Sequence, residues 1–180
     1  MELGSIVDAL EVQKCWMLHE HKTRGKAVGV GALKAIDQGE YGTALFTYRG
    51  DYPRQIFTHL KTWKRALLDL NDVEGLRYPD CELTSLSNGS LKLKDAVENI
   101  IQDPDLSNPK KNPKSFWHIK DIFDRLKILA NDTSPVIVGE DYVRDNKTII
   151  FDGFHRSAAT LIYYKKTEKF KLKEAYYGSK

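Results

Sequence analysis

Apolar and polar residues are most clearly patterned in the last third of the chain. Residues 135–138 form an apolar run rich in valine, and residues 148–151 form a second run after a polar turn at 145–146. Two such runs joined by a turn are typical of a β-hairpin. The small residues that begin at Ser157 open a predicted helix to about residue 165, and residues 170–176 alternate as a final strand.

Helical spacing dominates the middle of the chain. Apolar residues recur at three- and four-residue steps in three segments, which predicts an amphipathic helix in each: 54–70, 92–102 and 115–130. Between the last two, residues 103–114 contain three prolines and almost no apolar residue. That composition predicts a surface loop.

The first part of the chain has weaker patterns. The apolar positions predict a helix over 5–22 and short strands over 43–48 and 73–78. The glycine-rich residues 28–33 lack the Lys-Ser/Thr of a Walker loop and the third glycine of a dinucleotide fingerprint, so they indicate a packed turn. His19-Glu20-His21 has no third metal ligand nearby and indicates a solvated polar stretch rather than a metal site.

Helices and strands therefore interleave along the chain, which predicts an α/β or α+β fold with a small mixed sheet covered by helices. With 180 residues, of which 41% are hydrophobic, the chain can bury one substantial core. We expect the core domain to comprise residues 71–180. Residues 1–70 are expected to form an N-terminal extension that packs on it.

Composition restricts the function further. Lys and Arg number 28 against 25 Asp and Glu, a net charge of +3 that is too small to indicate a nucleic-acid-binding protein by itself. Cys15 and Cys81 cannot form a disulfide framework. Because neither a secretory leader nor an apolar run of about 20 residues is found, the sequence predicts a cytoplasmic protein without a membrane partner.

The candidate chemistry lies where the second hairpin strand meets the following helix. Asp152, Gly153, His155, Arg156 and Ser157 follow the apolar run directly. A helix N-terminus favours an anion, and a guanidinium and an imidazole can both donate hydrogen bonds to phosphate oxygens. Since cations at this end oppose the helix dipole unless an anion or a carboxylate offsets them, the pattern favours a phosphate site.

The strand, the Asp-Gly-x-His-Arg turn, the Ala-rich helix and the preceding Ser-Pro-Val-Ile-Val strand together resemble the ParB/sulfiredoxin-like superfamily. The likeness covers about residues 116–177 and is nearest to the free-serine-kinase and other small ATP-using branches. It implies that Gly153 lets the backbone approach a nucleotide phosphate, which His155 and Arg156 grip while Ser157 donates to an oxygen. Asp152 would orient that pair or help to hold Mg²⁺.

The resemblance implies an ATP-dependent phosphotransferase or ATPase that acts on a small-molecule hydroxyl acceptor. Glu82 is the candidate base toward the acceptor, and Asp80 competes with it for that role. Phe154 stands where sulfiredoxins have their catalytic cysteine, so sulfinic-acid repair is disfavoured. The alternative is a ParB-like DNA-binding protein or nuclease of plasmid or phage type, for which the proline-rich loop offers three basic residues: Lys110, Lys111 and Lys114.

Overall fold

In a computed structural model of the chain, residues 1–77, 86–103, 128, 130–143 and 147–180 are described. Across these residues, five strands form one mixed sheet in the order β1-β2-β5-β3-β4. The strands are β1 (Glu2–Val7), β2 (Thr62–Leu68), β3 (Val136–Glu140), β4 (Thr148–Asp152) and β5 (Lys173–Ser179). The predicted mixed, helix-covered α+β fold is confirmed.

Seven α-helices of the described residues surround this sheet: α1 (Ala9–Arg24), α2 (Val30–Asp37), α3 (Tyr41–Arg49), α4 (Asp51–His59), α5 (Leu70–Gly75), α6 (Leu93–Gln102) and α7 (Phe154–Thr167). Asp8 begins α1 because its carboxylate accepts the amide N–H of Leu10 at 2.8 Å. Asp69 and Asp72 form a reciprocal capping box at the start of α5.

The sheet consists of two antiparallel groups joined by one parallel pair. β2 pairs antiparallel with β1 and with β5, and β3 pairs antiparallel with β4. β3 and β5 run parallel, with Ile137 opposite Tyr176. The start of β3, the start of β5 and the end of β4 consequently lie at one end of the sheet.

Each face of the sheet has its own hydrophobic core. Trp16 and Met17 of α1 pack with α2, α3 and α4 on one face, together with Ile137 of β3. Val136 and Val138 of the same strand point to the other face, which α5, α6 and α7 cover. Because both faces are buried, residues 136–138 of β3 form a continuous apolar run rather than an alternating one.

Several sequence predictions are confirmed and others are wrong. The hairpin, the helix over 92–102 and the last helix and strand are found close to their predicted bounds. Residues 54–70 are α4 followed by β2, residues 43–48 belong to α3, and residues 73–75 end α5. The segment 5–22 holds the end of β1 as well as α1, and the glycine-rich segment opens α2 rather than a turn.

Residues 1–70, expected as an extension, supply β1, β2 and the helices of one face. β2 pairs with β5 over seven residues. The early part of the chain is thus continuous with the sheet that carries the Asp152–Ser157 segment. The predicted helix over 115–130 lies almost entirely outside the described residues.

Candidate functional site

β4 passes directly into α7 through Gly153, in a segment that we call the DGFHRS turn (residues 152–157). Gly153 has φ 94° and ψ 17°, a left-handed conformation that residues with a side chain rarely adopt. A Cβ atom there would lie 2.5 Å from Cγ1 of Val136 and 2.8 Å from a terminal nitrogen of Arg156. The glycine therefore lets both the start of β3 and the guanidinium approach the backbone.

Arg156 lies beneath the turn rather than on its surface. Its side chain is 3% exposed, and one terminal nitrogen donates to the carbonyl oxygens of Ser134 at 2.8 Å and Pro135 at 3.1 Å. The other donates to Oδ2 of Asp152 at 2.8 Å. The carboxylate that offsets a cation at this helix terminus is thus Asp152, and a phosphate that contacted Arg156 directly would have to displace it.

His155 and Ser157 face different surroundings. His155 is half-buried on the first turn of α7, with its ring centroid 5.5 Å from that of Phe154. Ser157 is fully buried, and its hydroxyl has no hydrogen-bond partner. Of the predicted phosphate ligands, His155 is the side chain that reaches solvent, whereas Ser157 and Arg156 are withdrawn from it.

Helix α1 brings a row of polar side chains toward the turn. Glu11, Cys15 and His19 are spaced four residues apart, so they share one face of the helix. Glu11 accepts hydrogen bonds from Tyr176 at 2.9 Å and from Arg65 at 2.8 Å, which fixes this face against β5 and β2. Glu11 and Cys15 were not among the predicted site residues, and His19 was weighed only as a metal ligand, although the four-residue spacing of all three on a helix was a signal.

Burial and the guanidinium of Arg156 both lower the pKa of His19, so its imidazole is neutral at pH 7. Its Nδ1 atom is buried without a hydrogen-bond partner. Burial also raises the pKa of the Cys15 thiol, which keeps it protonated and poorly nucleophilic. Glu20, predicted to be solvated, is instead 4% exposed and forms ion pairs with Arg24 and Arg49.

A second buried cation lies near the start of β5. Lys173 is 4% exposed and its Nζ donates to the carbonyl oxygen of Asp132 at 2.7 Å. Burial, reinforced by Arg156, lowers the pKa of Lys173 from 10.5 to about 8. Arg156 in the turn and Lys173 at the start of β5 are thus two positive side chains with little access to solvent, close enough for the charge of one to lower the pKa of the other.

We expect the lowered pKa of Lys173 to make the protein more stable as the pH rises. Between pH 8 and 10.5 the unfolded chain keeps a proton on this lysine that the folded chain has lost, so stability increases through that range. The lowered pKa of Lys173 corresponds to a total gain of about 3 kcal/mol in the free energy of unfolding across this pH range. Urea unfolding at pH 7 and pH 10 should show a larger rise in stability for the wild type than for Lys173→Met. Equal rises would contradict the lowered pKa.

The described residues give no support to a magnesium site at Asp152. Among them, no three His, Cys, Asp or Glu side chains form a group that could hold a metal ion. The charge of Asp152 is already balanced by Arg156. Because the carboxylate is engaged in this way, it does not fit the role of a magnesium ligand.

Several predicted site residues lie outside the described residues: Glu82 and its competitor Asp80, and the loop residues Lys110, Lys111 and Lys114. Their roles therefore stay predictions. For Glu82 or Asp80 the role is that of the base toward the acceptor, and for the three lysines it is contact with a nucleic acid.

Comparison of the chain with protein-family models, with curated proteins and with solved structures finds no match. Within the described ranges, no helix is long and apolar enough to span a bilayer.

Proposed function

We propose that the protein binds a nucleotide through its phosphates at the DGFHRS turn and transfers or hydrolyses the terminal phosphoryl group. The observation that carries this proposal is the passage of β4 into the 14-residue helix α7 through a left-handed glycine. Gly153 has no side chain with which to cap the helix, and amide N–H groups of a first helical turn lack intrahelical acceptors. Such a terminus favours a phosphate. The resemblance of the turn to ParB/sulfiredoxin-like proteins supports the same assignment.

The two basic residues of the turn have different roles at this site. His155 is the side chain that contacts the phosphates, since it lies on the first turn and is accessible to solvent. Arg156 is a positioning residue: its bonds to Asp152 and to the carbonyl groups before β3 hold the turn in shape. With Arg156 balanced by Asp152, the helix terminus and His155 supply the local attraction for an anion.

Phosphoryl transfer suits such a site because catalysis relies mainly on position and charge stabilisation rather than on covalent chemistry by the protein. The amide groups and His155 would stabilise the charge on the transferring group. The base toward the acceptor stays the predicted Glu82, which lies outside the described residues.

We expect His155→Ala to weaken the binding of ATP about tenfold while leaving the binding of adenosine unchanged. The reason is that hydrogen bonds to charged groups contribute about 1.5–3 kcal/mol, and adenosine has no phosphate to accept one. Isothermal titration of the full chain with ATP, ADP and adenosine measures both affinities. ATP turnover by the variant, followed as phosphate release, should fall by a larger factor.

His21→Ala is the matched control, because His21 is a half-buried histidine in the last turn of α1, on a different face from His19. This variant should bind ATP like the wild type. Equal ATP affinities of the wild type and His155→Ala would refute the proposed role of the turn, as would ATP and adenosine binding equally well.

A further inference from the structure

The two edge strands of the sheet, β1 and β4, differ in what lies beside them. The outer edge of β4 is bonded to Arg77, whose N–H donates to the carbonyl oxygen of Thr148 at 3.2 Å and whose carbonyl oxygen accepts from Ile150 at 2.8 Å. Residues 2–6 of β1 are all exposed. Among the described residues, β2 is the strand that pairs with β1, and no backbone hydrogen bond reaches its other edge. In this part of the chain, one edge of the sheet is covered and the other is open.

β1 lacks most of the features by which proteins protect an open sheet edge. Protected edge strands usually carry lysine or proline, or are very short. The sequence of β1, ELGSIV, contains neither residue, and its one charge, Glu2, lies at its end. Leu3 and Ile6 are instead 46% and 72% exposed, and Leu10, just after the strand, is exposed as well. Unpaired backbone groups beside exposed apolar side chains favour the addition of another strand.

A β-bulge decides which side chains of β1 share a face of the sheet. Leu3 pairs with Ala66, and Ile6 pairs with Lys64, so two residues of β1 between these pairs oppose a single residue of β2. Cross-strand partners lie on the same face, and so do alternate residues of one strand. Leu3 and Ile6 therefore point to one face, on which α5, α6 and α7 pack, although a regular strand would place them on opposite faces.

The bulge makes β1 complementary to a second copy of itself. In an antiparallel pair of two β1 strands related by a two-fold axis, Leu3 of each copy can lie opposite Ile6 of the other. Glu2 then lies opposite Val7, and these two residues also share a face, because their partners in β2 are four residues apart. Partners in an antiparallel pair must share a face, and this register satisfies that requirement on both sides of the bulge. A shift of one residue in either direction would not.

Charge and symmetry favour a closed pair of copies rather than a longer assembly. In this register the two Glu2 side chains lie about 17 Å apart along the strands, which exceeds the screening length of about 8 Å at physiological salt. A two-fold pair uses the open edge of both copies, and Arg77 occupies the edge of β4, so the described residues offer no open edge to a third copy. Two six-residue strands bury less than the roughly 800 Å² per partner of a standard interface, so the pair dissociates readily.

From this arrangement we propose that β1 is a dimerisation edge, at which two copies of the chain join their five-stranded sheets into one continuous sheet. The contact consists of backbone hydrogen bonds between the two β1 strands and of two Leu3–Ile6 pairs. Three strands separate β1 from β4, which leads into the DGFHRS turn. The dimer therefore leaves both turns accessible, and its formation does not depend on the proposed nucleotide site.

The test is sedimentation velocity of the full chain without nucleotide, from low micromolar to near-millimolar concentration. We expect a reversible equilibrium between monomer and dimer with no larger species. Ile6→Lys and Leu3→Glu should each weaken dimerisation about tenfold or more, because each places a charge against an apolar residue in both Leu3–Ile6 pairs. Mixed in equal amounts, the two variants should associate more tightly than either alone. The two substituted positions then face each other in one pair, and the native leucine and isoleucine face each other in the other.

Val30→Lys is the control variant, since Val30 is an exposed apolar residue at the start of α2 rather than on the sheet. It should dimerise like the wild type. Amide hydrogen exchange of residues 2–7 should slow as the protein concentration rises. The proposal is overturned if the chain stays monomeric, if larger species form, if Val30→Lys weakens the dimer as much as Ile6→Lys, or if the mixed variants associate no better than the separate ones. All substituted residues are exposed, so the variants are expected to fold.

Discussion

Replacing Asp152 by alanine is expected to destabilise the protein by about 3–5 kcal/mol. The substitution leaves the guanidinium of Arg156, whose side chain is 3% exposed, without its carboxylate partner. Removing one member of a buried ion pair is costly because the remaining charge stays desolvated. The two carbonyl oxygens that also accept from Arg156 cannot neutralise it. The measurement is the free energy of unfolding in urea, for variant and wild type.

Two further variants separate charge from other effects. Asp51→Ala removes an ion pair with Arg54 in which both side chains are largely exposed, and it should cost less than about 1 kcal/mol. Asp152→Asn combined with Arg156→Met removes the charge of both partners and should be more stable than Asp152→Ala. If the single and double variants were equally unstable, the uncompensated charge would not be the cause.

Gly153→Ala is expected to cost about 3 kcal/mol or more. An alanine at φ 94° carries a conformational penalty of about 1–2 kcal/mol. In addition, its Cβ would overlap Cγ1 of Val136 at 2.5 Å and Cβ of the same residue at 2.9 Å. Relief would require a shift between the start of β3 and the turn, which the Arg156 bonds resist. Thermal and urea unfolding of the variant would measure the loss.

Gly39→Ala provides the comparison for this experiment. Gly39 also has a positive φ of 76°, yet no atom lies within 4 Å of a Cβ built there. It should therefore show the conformational penalty alone. Adding Val136→Ala to Gly153→Ala removes the closest contact and should recover part of the loss. A Gly153→Ala variant no less stable than Gly39→Ala would show that the turn accommodates a side chain.

The last third of the fold could be predicted from sequence because local and tertiary requirements agree there. β3 and β4 are short apolar runs rich in β-branched residues, and α7 carries small residues from Ser157 onward, so local propensity and sheet pairing indicate the same elements. Residues 54–70 were different: their apolar spacing fits a helix, but Trp63 and Leu68 are buried as parts of a strand between β1 and β5. Pairing of β2 with strands distant in sequence thus determined its structure, although the spacing of the apolar residues is helical.

The candidate site was predictable in its residues but not in its contacts. The sequence indicated that residues 152–156 form one turn. It also indicated that a carboxylate could offset the positive charge at the helix N-terminus. It could not show that Arg156 reaches Ser134 and Pro135, 22 and 21 residues earlier in the chain. Those partners are backbone carbonyl groups, which any residue type provides. The approach of α1 depends in the same way on long-range packing.

The position of β5 has a consequence for how the chain reaches its native state. β5 is the last of the five strands in sequence, yet it is the middle strand of the sheet, between β2 and β3. Until residues 173–179 leave the ribosome, β1–β2 and β3–β4 are two separate pairs with no strand to join them. Sheet assembly therefore waits for residues 173–179 and is governed by contacts between residues far apart in sequence, which favours slow folding and leaves strand edges exposed in the meantime.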